Sequence, residues 1–338
     1  MRTLTLRELN RALLARQMLL ERRRLPVVRA VGRLVALQAQ YAPSPYVALW
    51  SRLEGFRKEQ LTRALADGRV LKAGVMRATL HVVTRELYPY IEAAHIESQR
   101  GRIEGIGTDP AALAAAWPDR PLTAAEAHAF AGEQLGTDDR WTIAFTLRAM
   151  PWVRTAPLGE WPHTKPSPDA LWREPLATSE EGAARVVRDY LAAYGPASRE
   201  DVEQFTGYRR RQTDSALERM RTCEDEQGRV LYDVPRAPLT DAAIPAPVRF
   251  LPPYDSIILA HRDRSRILPD AHLDTVLRRK NATTLATFTV DGFIAGAWRM
   301  ERTRDRWKLQ VDPFEPLPRR VREEVDREGE RLVAFYES

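Results

Sequence analysis

The chain has 338 residues, 44% of them hydrophobic and 29% charged, which is enough for a large core and, by length, two or three domains. Its single cysteine, Cys223, excludes an internal disulfide and cysteine-rich zinc sites, so a reducing cytoplasm is the expected compartment and no metal or cofactor is implied. The net charge of +6 and a pI near 9.6 come with arginine clusters at 22–24, 209–211 and 262–266. These favour a polyanionic partner, although a GC-rich genome would raise arginine content as well and charge speaks only of association.

Taken in order, Met1 to Arg7 runs straight into an amphipathic helix, so no signal peptide is expected, and no apolar run approaches the length of a membrane span. Thr5-Leu-Arg-Glu8 has the reciprocal capping pattern, and Leu6, Leu9, Leu13 and Leu20 mark a helix face up to about Arg24. Pro26 is placed to open a second helix whose apolar positions recur from Val27 to Leu37, ending on Gln38-Ala-Gln40 before Pro43 and Pro45 stop it. Inside an ideal helix Gln38 and Gln40 point to different sides and reach one target only if the last turn opens; otherwise they are ordinary polar residues at a helix end. A third helix, Lys58 to Ala66, stops near Gly68, and two strand-like runs follow, Val70 to Ala73 and Met76 to Val83. Three helices and a two-stranded ribbon make the order of a winged helix-turn-helix module. Alternation puts Thr79 and His81 on one strand face, either as a polar pair beside the core or lining a cleft beside the glutamines.

The plan returns twice. Helices are expected at Asp109 to Trp117, Thr123 to Leu135 and Asp138 to Met150, then a strand at Trp152 to Thr155 and a proline-rich tip in which Trp161-Pro-His163-Thr-Lys165 could meet a polyanion. Ser179 to Tyr194, Ser198 to Phe205 and Arg210 to Arg221 give three more, followed by the strand Arg229 to Asp233. After Pro235 the runs Val248 to Leu251, Ser256 to Ala260, Leu285 to Val290, Phe293 to Trp298 and Trp307 to Val311 read as strands. Asp291-Gly292 serves as a tight hairpin turn, and a helix from about Pro318 to Tyr336 closes the chain. The expected fold is α+β: three tandem winged helix-turn-helix modules, residues 1–92, 93–175 and 176–236, then a small β domain, 237–338. Within the last, His261, Arg262, Arg264 and Arg266 form a basic tip between apolar runs, suited to phosphate contact. Gly105-Ile-Gly107 lacks the context of a dinucleotide fingerprint, and no Walker loop, HExxH helix or nucleophile elbow occurs.

With Gln38-Ala-Gln40, Met76-Arg-Ala-Thr-Leu-His-Val82 and Tyr254-Asp-Ser-Ile-Ile-Leu-Ala-His-Arg-Asp-Arg-Ser265 in view, the chain resembles the bacterial AlkZ-type DNA glycosylases over nearly its whole length. The resemblance implies three winged helices scaffolding a cationic concave surface for duplex DNA. It also implies a catalytic glutamine pair matching Gln38 and Gln40, and a β-hairpin in the cleft, assigned here to His261 through Arg266. The implied reaction is hydrolysis of the N-glycosidic bond of N7-alkylated guanine, including bulky natural-product adducts and interstrand crosslinks. An abasic site remains, in a monomeric protein of DNA repair or toxin self-resistance. Because a crosslinked base cannot easily leave the duplex, groove engagement is expected in place of a deep base pocket. The alternative is a non-enzymatic winged-helix regulator, since fold alone does not fix function.

Overall fold

The structure, a computed structural model, describes residues 1–156, 161, 167–278, 283–304 and 306–338. Its first group of elements is β1 (Thr3–Leu4), α1 (Leu6–Arg16), α2 (Val27–Arg33), β2 (Leu37–Gln38), α3 (Ser44–Arg52), α4 (Lys58–Ala66), β3 (Val70–Val75) and β4 (Thr79–Thr84). The second is α5 (Tyr88–Ile106), α6 (Pro110–Ala116), α7 (Ala124–Leu135), α8 (Arg140–Arg148), β5 (Trp152–Arg154) and β6 (Asp169–Leu171). The third comprises α9 (Ser179–Tyr194), α10 (Arg199–Thr206), α11 (Arg210–Leu217), β7 (Arg221–Asp225) and β8 (Val230–Asp233). The last holds β9 (Arg249–Leu251), α12 (Ser256–Leu259), α13 (Leu273–Val276), β10 (Leu277–Arg278) and β11 (Thr283–Thr284). It continues with β12 (Thr287–Val290), β13 (Phe293–Thr303), β14 (Arg306–Pro313) and α14 (Arg319–Glu337). The fold class is α+β, as expected.

Helix starts follow local chemistry. Thr5, Thr123, Thr178 and Ser198 each accept from the backbone N–H three residues on, while the acidic residue there reaches back to the cap, so orphan donors are satisfied in pairs. Each helical group ends in an antiparallel pair, β3 with β4, β5 with β6 and β7 with β8, while β9, β12, β13 and β14 form a four-stranded antiparallel sheet. Asp291 and Gly292 both have positive φ between β12 and β13, the twist-matching geometry anticipated for that turn.

Three differences from the sequence reading have physical reasons. The first helix stops at Arg16, where Met18 turns left-handed. Ser256 to Ala260 forms helix α12 in place of a strand, because Asp255 caps it by accepting from Ile257 N–H. Helix α5 has no amphipathic stripe to betray it: Ile91, Glu92, Ala94 and His95 are all buried, so its first half is enclosed on every side.

The groups interlock. β1 pairs in parallel with β7, Thr3 opposite Glu224, so the chain's first strand sits in the third group's sheet and not with residues 5–92. Tyr46 and Leu49 of α3 share a core with Phe250, Phe288, Trp298 and Leu332 of the last group. Tyr88 and Ile91 of α5 share another with Val186 and Tyr190 of α9 and with Ile257 and Ile267. Leu113, Trp117, Ile143 and Met150 make a smaller core within the second group.

Candidate active site

The glutamine stretch is extended where a helix end was expected. α2 ends at Arg33, and Val35 then adopts φ 65°, a left-handed conformation that a β-branched residue rarely takes. Two side-chain hydroxyls hold this corner: Tyr194 donates to the Leu34 carbonyl at 3.0 Å and Ser256 to that of Ala36 at 3.1 Å. The chain then enters β2, pairing Leu37 with Val82 and Gln38 with His81, and Ala39 N–H donates to Leu80 O at 2.8 Å. Pro43 and Pro45 open α3 where they were expected only to close α2; Pro45 sits in the first turn, where its missing N–H costs nothing.

Extension changes what the pair can do. The strand ends at Gln38 and the chain bends at Gln40, so the two amides are not held apart by a helical turn. Gln38 lies in one row with His81 and Ala73, on strands β2, β4 and β3. It is only 8% exposed, and among the described residues its carbonyl Oε1, fully buried, meets no hydrogen-bond donor. Gln40 follows at a bend and is exposed. A buried acceptor left unmet by the protein is a place for water or ligand.

His81 is 2% exposed, and its Nδ1 lies 2.8 Å from the Thr79 carbonyl, to which it donates. Burial, then the nearby Arg77 guanidinium, pushes its pKa down to about 3, so the ring is neutral with Nε2 an acceptor on the Gln38 row. Thr79 is half-buried and its hydroxyl donates to Met76 O at 3.3 Å. Arg77, at φ 56°, reaches away to the carbonyls of Gln204 (2.9 Å) and Phe205 (2.6 Å), fastening the third group to this hairpin.

The basic run expected to form a hairpin does not. Residues 261–266 are a turn after α12 that points partly inward. His261 is 1% exposed with Nε2 donating to Tyr194 O at 3.1 Å, and burial lowers its pKa strongly. Arg266 is 3% exposed and donates to Pro196 O at 2.7 Å. Arg264 is half-buried and donates to Ile258 O and Arg262 O, both at 3.1 Å. Only Arg262 is exposed; its backbone N–H caps onto Asp201 at 2.7 Å. His261 and Arg266, expected to meet phosphate, are instead buried and each donates to a backbone carbonyl inside the protein.

β10 and β11 pair antiparallel, with Arg278 opposite Thr283. Thr284 accepts from Tyr254 N–H, and the neighbouring Pro253 carbonyl accepts from Ser44 at the start of α3 at 2.7 Å, so β11 is linked through residues 253–254 to the start of α3, four residues after Gln40. The signal missed in the sequence is the basic run Arg278-Arg-Lys280 between Leu277 and Thr283. Trp161, the one described residue between 157 and 166, packs against α3 and α14. Trp161 stands edge-on to Tyr46 (5.8 Å) and Tyr336 (4.7 Å), with the Lys58 ammonium 4.9 Å from its ring centre. His163 and Lys165 lie outside the described residues. Among the described residues no helix is long and apolar enough to cross a membrane, and no three His, Cys, Asp or Glu side chains gather as a metal site.

The model of a family described as DNA glycosylase AlkZ-like matches residues 31–335. The solved structure of Streptomyces sahachiroi DNA glycosylase AlkZ superposes with a TM-score of 0.78 over 99% of this chain and 97% of that chain, at 19% identity, which shows a shared fold. A comparison with curated proteins gave no match. Since the family match spans nearly the whole chain, the protein belongs to the AlkZ-like DNA glycosylases.

Proposed function

We propose that this glycosylase hydrolyses the N-glycosidic bond of guanine alkylated at N7 in duplex DNA, with Gln38 and Gln40 holding the attacking water. Alkylation at N7 makes the purine cationic, so the base leaves without a strong acid. What remains is to place water and to stabilise a cationic sugar, work suited to a neutral carboxamide and its dipole. The carbonyl is too weak a base to remove a proton before attack, so its role is orientation. The observation that carries this reading is the unmet Gln38 Oε1, one hydrogen bond short beside an exposed Gln40. Neutral His81 adds no competing positive charge to the site.

In this reading the β10–β11 hairpin enters the groove and Arg278, which is exposed, meets the phosphate backbone, with Arg262 as a further contact. Bulky adducts and crosslinks are the favoured lesions, and the enzyme works as a cytoplasmic monomer. The test is single-turnover release from duplex containing 7-methylguanine, read by alkaline cleavage at the abasic site. Replacing both glutamines by alanine should lower the rate by about 10²-fold or more while DNA binding persists. An unchanged rate would remove the glutamines from the mechanism.

A further inference from the structure

A second cavity adjoins the strand that carries the glutamines. It lies where the β3–β4 hairpin meets α5, α8 and the β5–β6 ribbon, encloses about 200 Å³, and is lined by Leu80, His95, Leu147, Arg148, Trp152 and Asp169 among others. Leu80 belongs to both places, because its carbonyl accepts the Ala39 N–H. An apolar cavity of about 150 Å³ accommodates benzene, so this one has room for one planar heterocycle.

Its polar groups are unfinished. His95 is 1% exposed, and among the described residues neither ring nitrogen has a hydrogen-bond partner. Burial lowers its pKa to about 4, with the Arg148 backbone close enough to oppose the fall, so the imidazole is neutral. One carboxylate oxygen of Asp169 meets Arg154 at 2.9 Å. Burial raises the Asp169 pKa to about 6, and the Arg154 guanidinium opposes that rise. The wall is fixed: Trp152 Nε1 donates to Leu147 O at 2.6 Å, and its ring meets that of Trp117 edge-on at 4.6 Å. Arg148 is exposed at the rim.

We propose that this cavity binds the Watson–Crick edge of a guanine base, with Asp169 accepting from N1–H and the 2-amino group and His95 donating to O6. Those two donors stand side by side as a carboxylate requires, and alkylation at N7 adds no atom to that edge. Adenine presents an acceptor at N1 and a donor at position 6, the reverse pattern. The proposal rests on the guanine-lesion reading above and departs from the expectation of groove engagement alone. Two sources supply the same edge, the released base and the lesion still joined to its strand.

The experiment titrates the intact protein with free 7-methylguanine and with adenine by calorimetry, then measures release from methylated duplex. Saturable binding of 7-methylguanine, about tenfold or more tighter than adenine, is expected, with Asp169→Asn losing about tenfold in affinity. Ala124→Leu, an exposed lining position, should block the mouth without disturbing the core, and so provides the test should Asp169→Asn fail to fold. If both variants bind the base poorly yet release it at the wild-type rate, the site takes the free base; if release also falls, it takes the lesion in DNA. No preference over adenine, or wild-type affinity in Ala124→Leu, overturns the proposal. A wild-type protein that binds 7-methylguanine but never releases it from DNA would defeat the substrate reading and leave the cavity assignment standing.

Discussion

Gln38 to Gln40 and His261 to Arg266 are both polar stretches flanked by core residues, and their chemistry is used in opposite ways. The cationic run directs its donors into carbonyls of Ile258, Arg262, Tyr194 and Pro196, so it acts as internal stitching between the last and third groups. The neutral stretch leaves one amide oxygen buried without a donor and one amide in solvent. Charge density along a sequence therefore says little about exposure.

The contrast can be broken by mutation. Arg266→Ala should cost most, about 3 kcal/mol in denaturant unfolding, because it strips a buried cation from the carbonyl it satisfies. A loss within error would mean the run is not structural. Gln38→Ala should reverse the pattern: about 10²-fold slower base release with melting temperature unchanged or raised, since the group removed was unsatisfied in the folded protein. A large fall in melting temperature would make Gln38 a structural residue.

Acid sharpens the difference. The pKa of His81 in the folded protein, about 3, lies below its ordinary value near 6.5, so the unfolded chain binds a proton that the native state refuses between those limits. Its contribution to stability is present above pH 6.5 and falls by about 1.4 kcal/mol per pH unit as pH drops through that window. His81→Gln should flatten the stability profile by that slope, measured by urea unfolding from pH 7.5 to 5; an unchanged slope would show that the ring is already protonated when folded. Arg262→Ala, the exposed member of the basic run, should have the smallest effect, within about 0.5 kcal/mol on stability.

Much of the helical plan was legible because caps and glycines are local. Thr123, Thr178 and Ser198 announce their helices, and Asp291-Gly292 announces its turn. What was not legible depends on tertiary contact. The corner at Val35 exists because Tyr194 and Ser256, far along the chain, hold the carbonyls on either side of it, so no periodicity before Gln38 could reveal a strand there. Helix α5 was hidden by its burial, and the basic turn was misplaced because sequence does not say which arginine finds a carbonyl. The identities of the two glutamines were readable; their surroundings were not.

The pairing of β1 with β7 bears on how the chain assembles. Thr3 donates to Glu224 across a separation of 221 positions, so the opening strand has no partner until the third group has been synthesised. Until then it waits as an unpaired edge, and such distant closure slows folding. The helical groups therefore cannot mature strictly one after another on the ribosome, and a bulky fusion placed ahead of residue 3 would be felt first at β7.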